Sequence, residues 1–190
     1  MELKSAQFKM FLPIPVTLIT TVNSQGVYNG APYSCVMPVL GPLNLISIAS
    51  ALPRDTLKNI RETNEFVVNV IGKPEFRKAM SCAKTYPPDV NEMKEVGLET
   101  ISSKKVAPPR IVDAVGWIEA VVEKEVVGEN YSVIIGRVLC SEVSDIYWEK
   151  GRLTEDPLIL LAPHFRTLGD RIAKGEEFID HSTHPEMKPS

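Results

Sequence analysis

The segment "SALPRDTLKN", residues 50–59, brings Ser50, Arg54, Asp55, Thr56, Lys58 and Asn59 together where a strand-like run gives way to a helix-like one. The chemistry these types share is anion binding. A helix N-terminus presents unpaired backbone N–H groups and the positive end of the helix dipole. An arginine adds a bidentate fork suited to phosphate oxygens, and serine or threonine hydroxyls can complete a cradle. Asp55 reads as the helix cap, Leu57 and Ile60 as its apolar face, and Asn64 as its end. The same spacing also suits a capped surface helix whose Arg54 and Lys58 are merely solvated.

A second stretch stands out. "YNGAPYSCVMPVL", residues 28–40, carries two prolines, a glycine, an asparagine, a serine and a cysteine between strongly apolar segments. Small polar groups in such density suit a loop or edge that holds something else. Cys35 could react, but the expected role is a small thiol buried in a strand. "HSTH" at 181–184 sets His181 and His184 three apart; without further ligands nearby it reads as a solvated tail, not a metal site.

Other chemistries are excluded by pattern. No two glycines stand two apart, so no dinucleotide fingerprint exists, and Val67 occupies the place where a phosphate loop ending at Gly72 and Lys73 needs glycine. Neither HExxH nor GxSxG occurs. No catalytic residue and no metal ligand is assigned.

The elements that must position these groups are mostly strands. "IPVTLITTV" (14–22) and residues 27–31 predict a hairpin across "NSQG". "LNLISIAS" (43–50) and "FVVNVIG" (66–72) predict buried strands. "PEFRKAMSCAK" predicts a short helix with Phe76, Met80 and Ala83 on one side. Residues 85–110, bracketed by proline pairs, read as a surface excursion with a helical piece around Val90–Val96. Residues 114–127 and 131–148 predict two long strands joined at "GEN"; in the first, Trp117, Glu119, Val121 and Glu123 alternate with Gly116, Ile118, Ala120 and Val122. Six or more strands with two or three short helices predict a mainly β, α+β chain, a barrel or strongly curved antiparallel sheet.

Bulk properties bound the rest. The 190 residues are 44% hydrophobic and 24% charged, with a net charge of −3 and both signs interspersed. Length favours one domain, 1–190, with peripheral tails at about 1–10 and 180–190. The interspersed charge argues against a nucleic-acid partner. No apolar run approaches the roughly 20 residues of a membrane-spanning helix. Three scattered cysteines and a first segment without a long apolar run lead us to expect a cytoplasmic protein.

In order and spacing, "PVTLITTVNSQGVYNGAPYSCVMPV" followed by "LISIASALPRDTLKNIRETNEFVVNV" resembles the flavin reductase-like family of FMN-binding split barrels, which includes the flavoredoxins. The resemblance continues through "NEMKEVGLETISSKKVAPPRIVDAVGWIEAVVEKEVV", "VIIGRVLCSEV" and "PLILLAPHFRTLGD". It implies that Asn29, Ala31, Pro32 and Ser34, with Tyr33 and Cys35 beside them, line the isoalloxazine ring and ribityl chain of FMN. It further implies that Arg54, Asp55, Thr56 and Asn59 hold the phosphate, with Ser50 at the strand end. The chemistry would then reside in the cofactor. The implied activity is electron transfer from NADH, NADPH or a redox protein such as ferredoxin, through FMN, to free flavin, ferric iron or a partner protein. An electron carrier without nicotinamide activity, or a non-redox barrel for another phosphorylated ligand, are the alternatives. The family is usually homodimeric. "PHFRTLGD", with His164 and Phe165, departs from the tyrosine-rich sequence many relatives carry there, which leaves the electron donor open.

Overall fold

The computed structural model describes residues 4–87 and 89–170; His181, His184 and the segment 180–190 lie outside them. Among the described residues the main sheet has seven strands: β1 (Thr17–Val22), β2 (Tyr28–Tyr33), β3 (Val36–Pro38), β4 (Leu45–Ala51), β5 (Glu65–Val70), β6 (Gly116–Val127) and β7 (Tyr131–Val143). Their spatial order is β2-β1-β5-β6-β7-β4-β3, all neighbours antiparallel. The sheet curls into a half-barrel. Two register shifts in the long β6–β7 ladder, at Ile135/Gly136 and Val138/Cys140, mark where pairing bends.

Among the described residues three short α-helices complete the frame: α1 (Asp55–Thr63), α2 (Phe76–Ser81) and α3 (Glu92–Glu95). Asn64 closes α1 in the left-handed region at φ 60°, a conformation asparagine tolerates better than most residues. The expected cap is corrected: Arg54 occupies the cap position without a side-chain hydrogen bond, and Asp55 is the first helical residue. There its negative charge favours the positive end of the dipole without taking up an N–H.

Burial on both faces explains the apolar runs. In β1 every residue is buried, and Leu18 and Ile19 enter different clusters. Leu18 packs with Val67, Met93 and Trp117, beneath α2 and α3. Ile19 packs with Ile48, Leu57, Ile60 and Phe66, beneath α1. The ring of Phe66 crosses β7 at Gly136, where a Cβ would stand 2.5 Å from Phe66 Cζ. Glycine is required there by close approach. Thr17 and Thr20 bury their hydroxyls by donating to the carbonyl oxygens of Tyr33 and Pro109.

Several boundaries differ from the pattern. The first predicted strand splits, because Ile14–Pro15 pairs with Ile159–Leu161 before β1 begins. Residues 43 and 44 are exposed and β4 starts at Leu45. The last long strand stops at Val143; a 3-10 turn at Asp145–Tyr147 follows, then a small hairpin of Trp148–Glu149 with Arg152–Leu153. In α2 the fully buried position is Ala79 with Cys82 just beyond, while Ala83 is exposed past the helix end.

The excursion at 85–110 is tied down by buried polar groups. Asn69 of β5 donates to the Leu18 carbonyl and to Thr20 Oγ1, and accepts from the Ile111 N–H at 2.8 Å. Glu119 of β6, fully buried, accepts from the Arg110 side chain and from the backbone N–H groups of Lys104 and Lys105. Arg110 also pairs with Glu142 and lies 5.2 Å from the centroid of Trp117. Burial works to lower the Arg110 pKa, but its bonds to Glu142 and Glu119 outweigh that and hold it above the usual value.

Candidate functional site

The two stretches that the sequence singles out meet in one open cleft of about 380 Å³. One wall is β2 and the chain just after it, with Asn29, Ala31, Pro32, Tyr33, Ser34 and Cys35. Ser50, at the end of β4, joins the opposite side, and Arg54, Asp55 and Thr56 bring the first turn of α1 to its edge. These ten residues are the predicted set apart from Asn59. Asn59 is buried behind the wall, where its Nδ2 donates to Thr21 Oγ1 at 3.1 Å.

Why these pieces converge follows from register. β2 pairs with β1, setting Thr21 opposite Asn29, while α1 packs on β1 through Leu57 and Ile60. The tail of β4 is held against β7 with Ser50 opposite Ser132. The cleft therefore lies where two sheet regions and a helix N-terminus come together.

Its polar groups are mostly committed to one another. Thr56 Oγ1 donates to Asn29 Oδ1 at 3.0 Å, and Thr21 Oγ1 donates to the same oxygen at 3.3 Å. Tyr33 Oη and Ser50 Oγ are hydrogen-bonded at 2.8 Å, and burial raises the Tyr33 phenol. The hydroxyls of Ser50 and Thr56 thus build the wall. The expected cradle of free hydroxyls is reduced to an exposed Arg54 guanidinium and an α1 N-terminus without a side-chain cap. Among the described residues Arg54 has no ion-pair partner.

Cys35 is corrected. It is exposed on the cleft, between β2 and β3, with only its backbone carbonyl engaged, by the Ala49 N–H. The buried thiol is Cys82, also on the lining, and burial pushes it up to about 12. Cys82 is therefore a neutral packing group.

Sequence reasoning missed the third side of the cleft. Lys84, Thr85 and Tyr86, just after α2, line it together with Glu92 of α3. A short polar run after an amphipathic helix reads as surface loop, and an acid beside a cap residue reads as solvated. Nothing local marks them. Glu92 is only 8% exposed: its Oε1 accepts from Asn29 Nδ2 at 2.6 Å and its Oε2 from the Gly30 N–H at 3.2 Å. Burial raises its carboxyl above the ordinary range. Met93 beside it packs so tightly that a Cβ on Gly30 would sit 2.7 Å from Met93 Cγ.

His164 and Phe165 are exposed on the strand His164–Arg166 and do not line the cleft. Phe165 meets the Phe76 ring edge-on at 4.8 Å, which braces α2, the helix leading into Cys82 and Lys84. Among the described residues no group of three metal-ligating side chains occurs, and no helix is long and apolar enough to cross a membrane.

Comparison with known proteins places this geometry in context. Residues 10–169 match the model of the flavin reductase like domain. An uncharacterised protein of Methanothermobacter thermautotrophicus is 42% identical over 149 residues, covering 76% of this chain and 70% of that one. Among solved structures, nitrilotriacetate monooxygenase component B from Bacillus cereus is similar with a TM-score of 0.80 and 28% identity, over 91% of this chain and 95% of that one. A flavoredoxin from Methanosarcina acetivorans shares the fold at a TM-score of 0.81 and 20% identity, over 94% and 96% of the two chains.

Proposed function

Because the chain belongs to the flavin reductase-like family, we propose that its cleft binds FMN and that the protein is an FMN-dependent oxidoreductase. It takes electrons from NADH, NADPH or a redox protein and passes them to a small acceptor: free flavin, ferric iron or a partner protein. The observation that carries this reading is the union, in one cleft, of a wall of small residues with an uncapped helix N-terminus bearing Arg54. Small side chains at Ala31, Ser34, Ala49 and Ala51 let backbone approach a flat ring. Arg54 and Lys84 supply cations for a phosphate, and both lie on the lining. A cleft of this size is within the usual range for cofactor sites.

When bound, FMN supplies the hydride and electron chemistry in its own ring. The protein's part is to bind, orient and screen that ring, which fits a cleft whose side chains are spent on holding one another. Cys35, Cys82 and Cys140 are free thiols, in keeping with a reducing cytoplasm. Exposed Met37, Val39, Leu40 and Leu43 near the β3–β4 turn support a homodimer.

Purified protein, or protein soaked with FMN and desalted, is expected to be yellow and to bleach anaerobically with NADH or NADPH. Failure to retain FMN would refute the proposal. Bleaching by dithionite or reduced ferredoxin, but by neither nicotinamide, would reassign the protein as an electron carrier. Sedimentation as a monomer at micromolar concentration would remove the dimer.

A further inference from the structure

Resting on the flavin reading above, we propose that Glu92 is a positioning residue: its ionised carboxylate fixes the Asn29 amide so that one N–H is left for the flavin, and flavin affinity is lost when that carboxylate is protonated. The geometry is a closed set of bonds with one opening. Asn29 Oδ1 is filled by two hydroxyl donors, Thr56 Oγ1 and Thr21 Oγ1. Asn29 Nδ2 has two protons, of which Glu92 Oε1 takes one. Among the described residues no acceptor for the other is present, and Asn29 lines the cleft.

An ionised carboxylate can only accept, so it selects the amide orientation that turns Nδ2 toward it. A protonated carboxyl carries an O–H of its own and competes with that arrangement. If the amide turns over, Nδ2 faces Thr56 and Thr21, and the orientation of the wall is lost. The second carboxylate oxygen, held by the Gly30 N–H, keeps Glu92 from swinging away.

Buried negative charge here works against stability. Burial raises the Glu92 carboxyl, so the folded protein binds its proton at a higher pH than the unfolded chain does. In that window the contribution of Glu92 to the stability of the ligand-free protein increases as pH falls. On this proposal flavin affinity moves the other way, which separates positioning from mere anchoring of α3. The charged and titratable groups that share the cleft with Glu92 are Asp55 and Arg54 at the start of α1, Tyr33 of β2, and Cys82, Lys84 and Tyr86 beyond α2; exposed Lys94 and Glu95 lie on its own helix. Asp55 adds to the upward push on Glu92, and Cys82 stays a neutral thiol.

Riboflavin is the probe, because it lacks the titrating phosphate of FMN. Its affinity for the wild-type protein, followed by quenching of flavin fluorescence, is expected to fall, by up to about tenfold, as pH is lowered from about 8 through the titration of the Glu92 carboxyl. Glu92→Gln is expected to bind riboflavin about tenfold more weakly at pH 8, without that pH slope. Its ligand-free thermal midpoint at pH 8 is expected to be no lower than that of the wild type. A flat wild-type profile overturns the proposal without using any variant. So does a Glu92→Gln protein that binds like wild type at pH 8, keeps the slope, or loses midpoint and affinity in parallel. Wild-type protein that takes up neither riboflavin nor FMN at any pH overturns the flavin reading itself, and this one with it.

Discussion

Arg54 and Gly30 act on the cleft by different means. Arg54 is exposed at the α1 N-terminus, so Arg54→Ala removes a charged donor without disturbing the core. It should weaken FMN by about 1.5–3 kcal/mol while leaving riboflavin nearly unchanged, as parallel titrations would reveal. An equal loss for both ligands would place the arginine elsewhere in the mechanism. Gly30→Ala would drive a Cβ to 2.7 Å from Met93 Cγ, an atom near the root of that side chain. It should lower stability by about 1–3 kcal/mol in urea unfolding, and it should weaken riboflavin as well, because α3 also carries Glu92. At this scale the sequence was informative about type and silent about partner. Arg54 and Thr56 were legible as members of one cleft because a strand end, a turn and a helix start lie together in the chain. That Thr56 gives its hydroxyl to Asn29 was not, because the partners are 27 residues apart and meet only through β1.

The excursion at 85–110 shows how a segment without regular structure becomes a fixed element. Arg110 and Glu119, 3% and 0% exposed, form a buried pair that joins the end of the excursion to β6. Arg110→Ala leaves the Glu119 carboxylate buried beside only the N–H groups of Lys104 and Lys105. A loss of about 3–5 kcal/mol is expected from urea unfolding, with faster hydrogen exchange at 102–111. A loss below about 1 kcal/mol would mean that water replaces the arginine. Elements with strong local signals were legible: α1 with its Asn64 terminus, the β1–β2 hairpin and the two long strands. The cap of α1 and the end of β7 were not, since both depend on packing beyond the local window. Glu119 illustrates the limit. It alternates with Glu123 along β6, yet Glu119 is buried under the excursion while Glu123 is exposed. Period alone cannot distinguish a charge covered by distant chain from one left in water.

For the whole molecule, two paired carboxylates favour the folded state above the acid range. Glu125 is held below the ordinary range mainly by its bond to Arg61, and Glu142 mainly by its bond to Lys104 and then Arg110. Both folded values lie below the unfolded ones, so the stabilisation is present above the ordinary carboxylate value and lost as pH falls from there through the lower folded values. The thermal midpoint should therefore decline as pH falls below about 4.5, and Glu125→Gln should make that decline shallower. An unchanged profile would show the Arg61 pair to be too well solvated to matter, as exposed pairs often are. The half-barrel as a class was legible from strand count and hairpin spacing. The pairing of β4 with β7 was not, because the two strands lie some eighty residues apart in sequence. That pairing also has a consequence for biogenesis. Ser50, on the cleft wall, is backed by Ser132, so a nascent chain that has exposed β1, β2 and α1 still lacks the strand that sets this wall. This wall of the cleft is thus completed only after β7 has left the ribosome, and a half-made chain has no finished cleft.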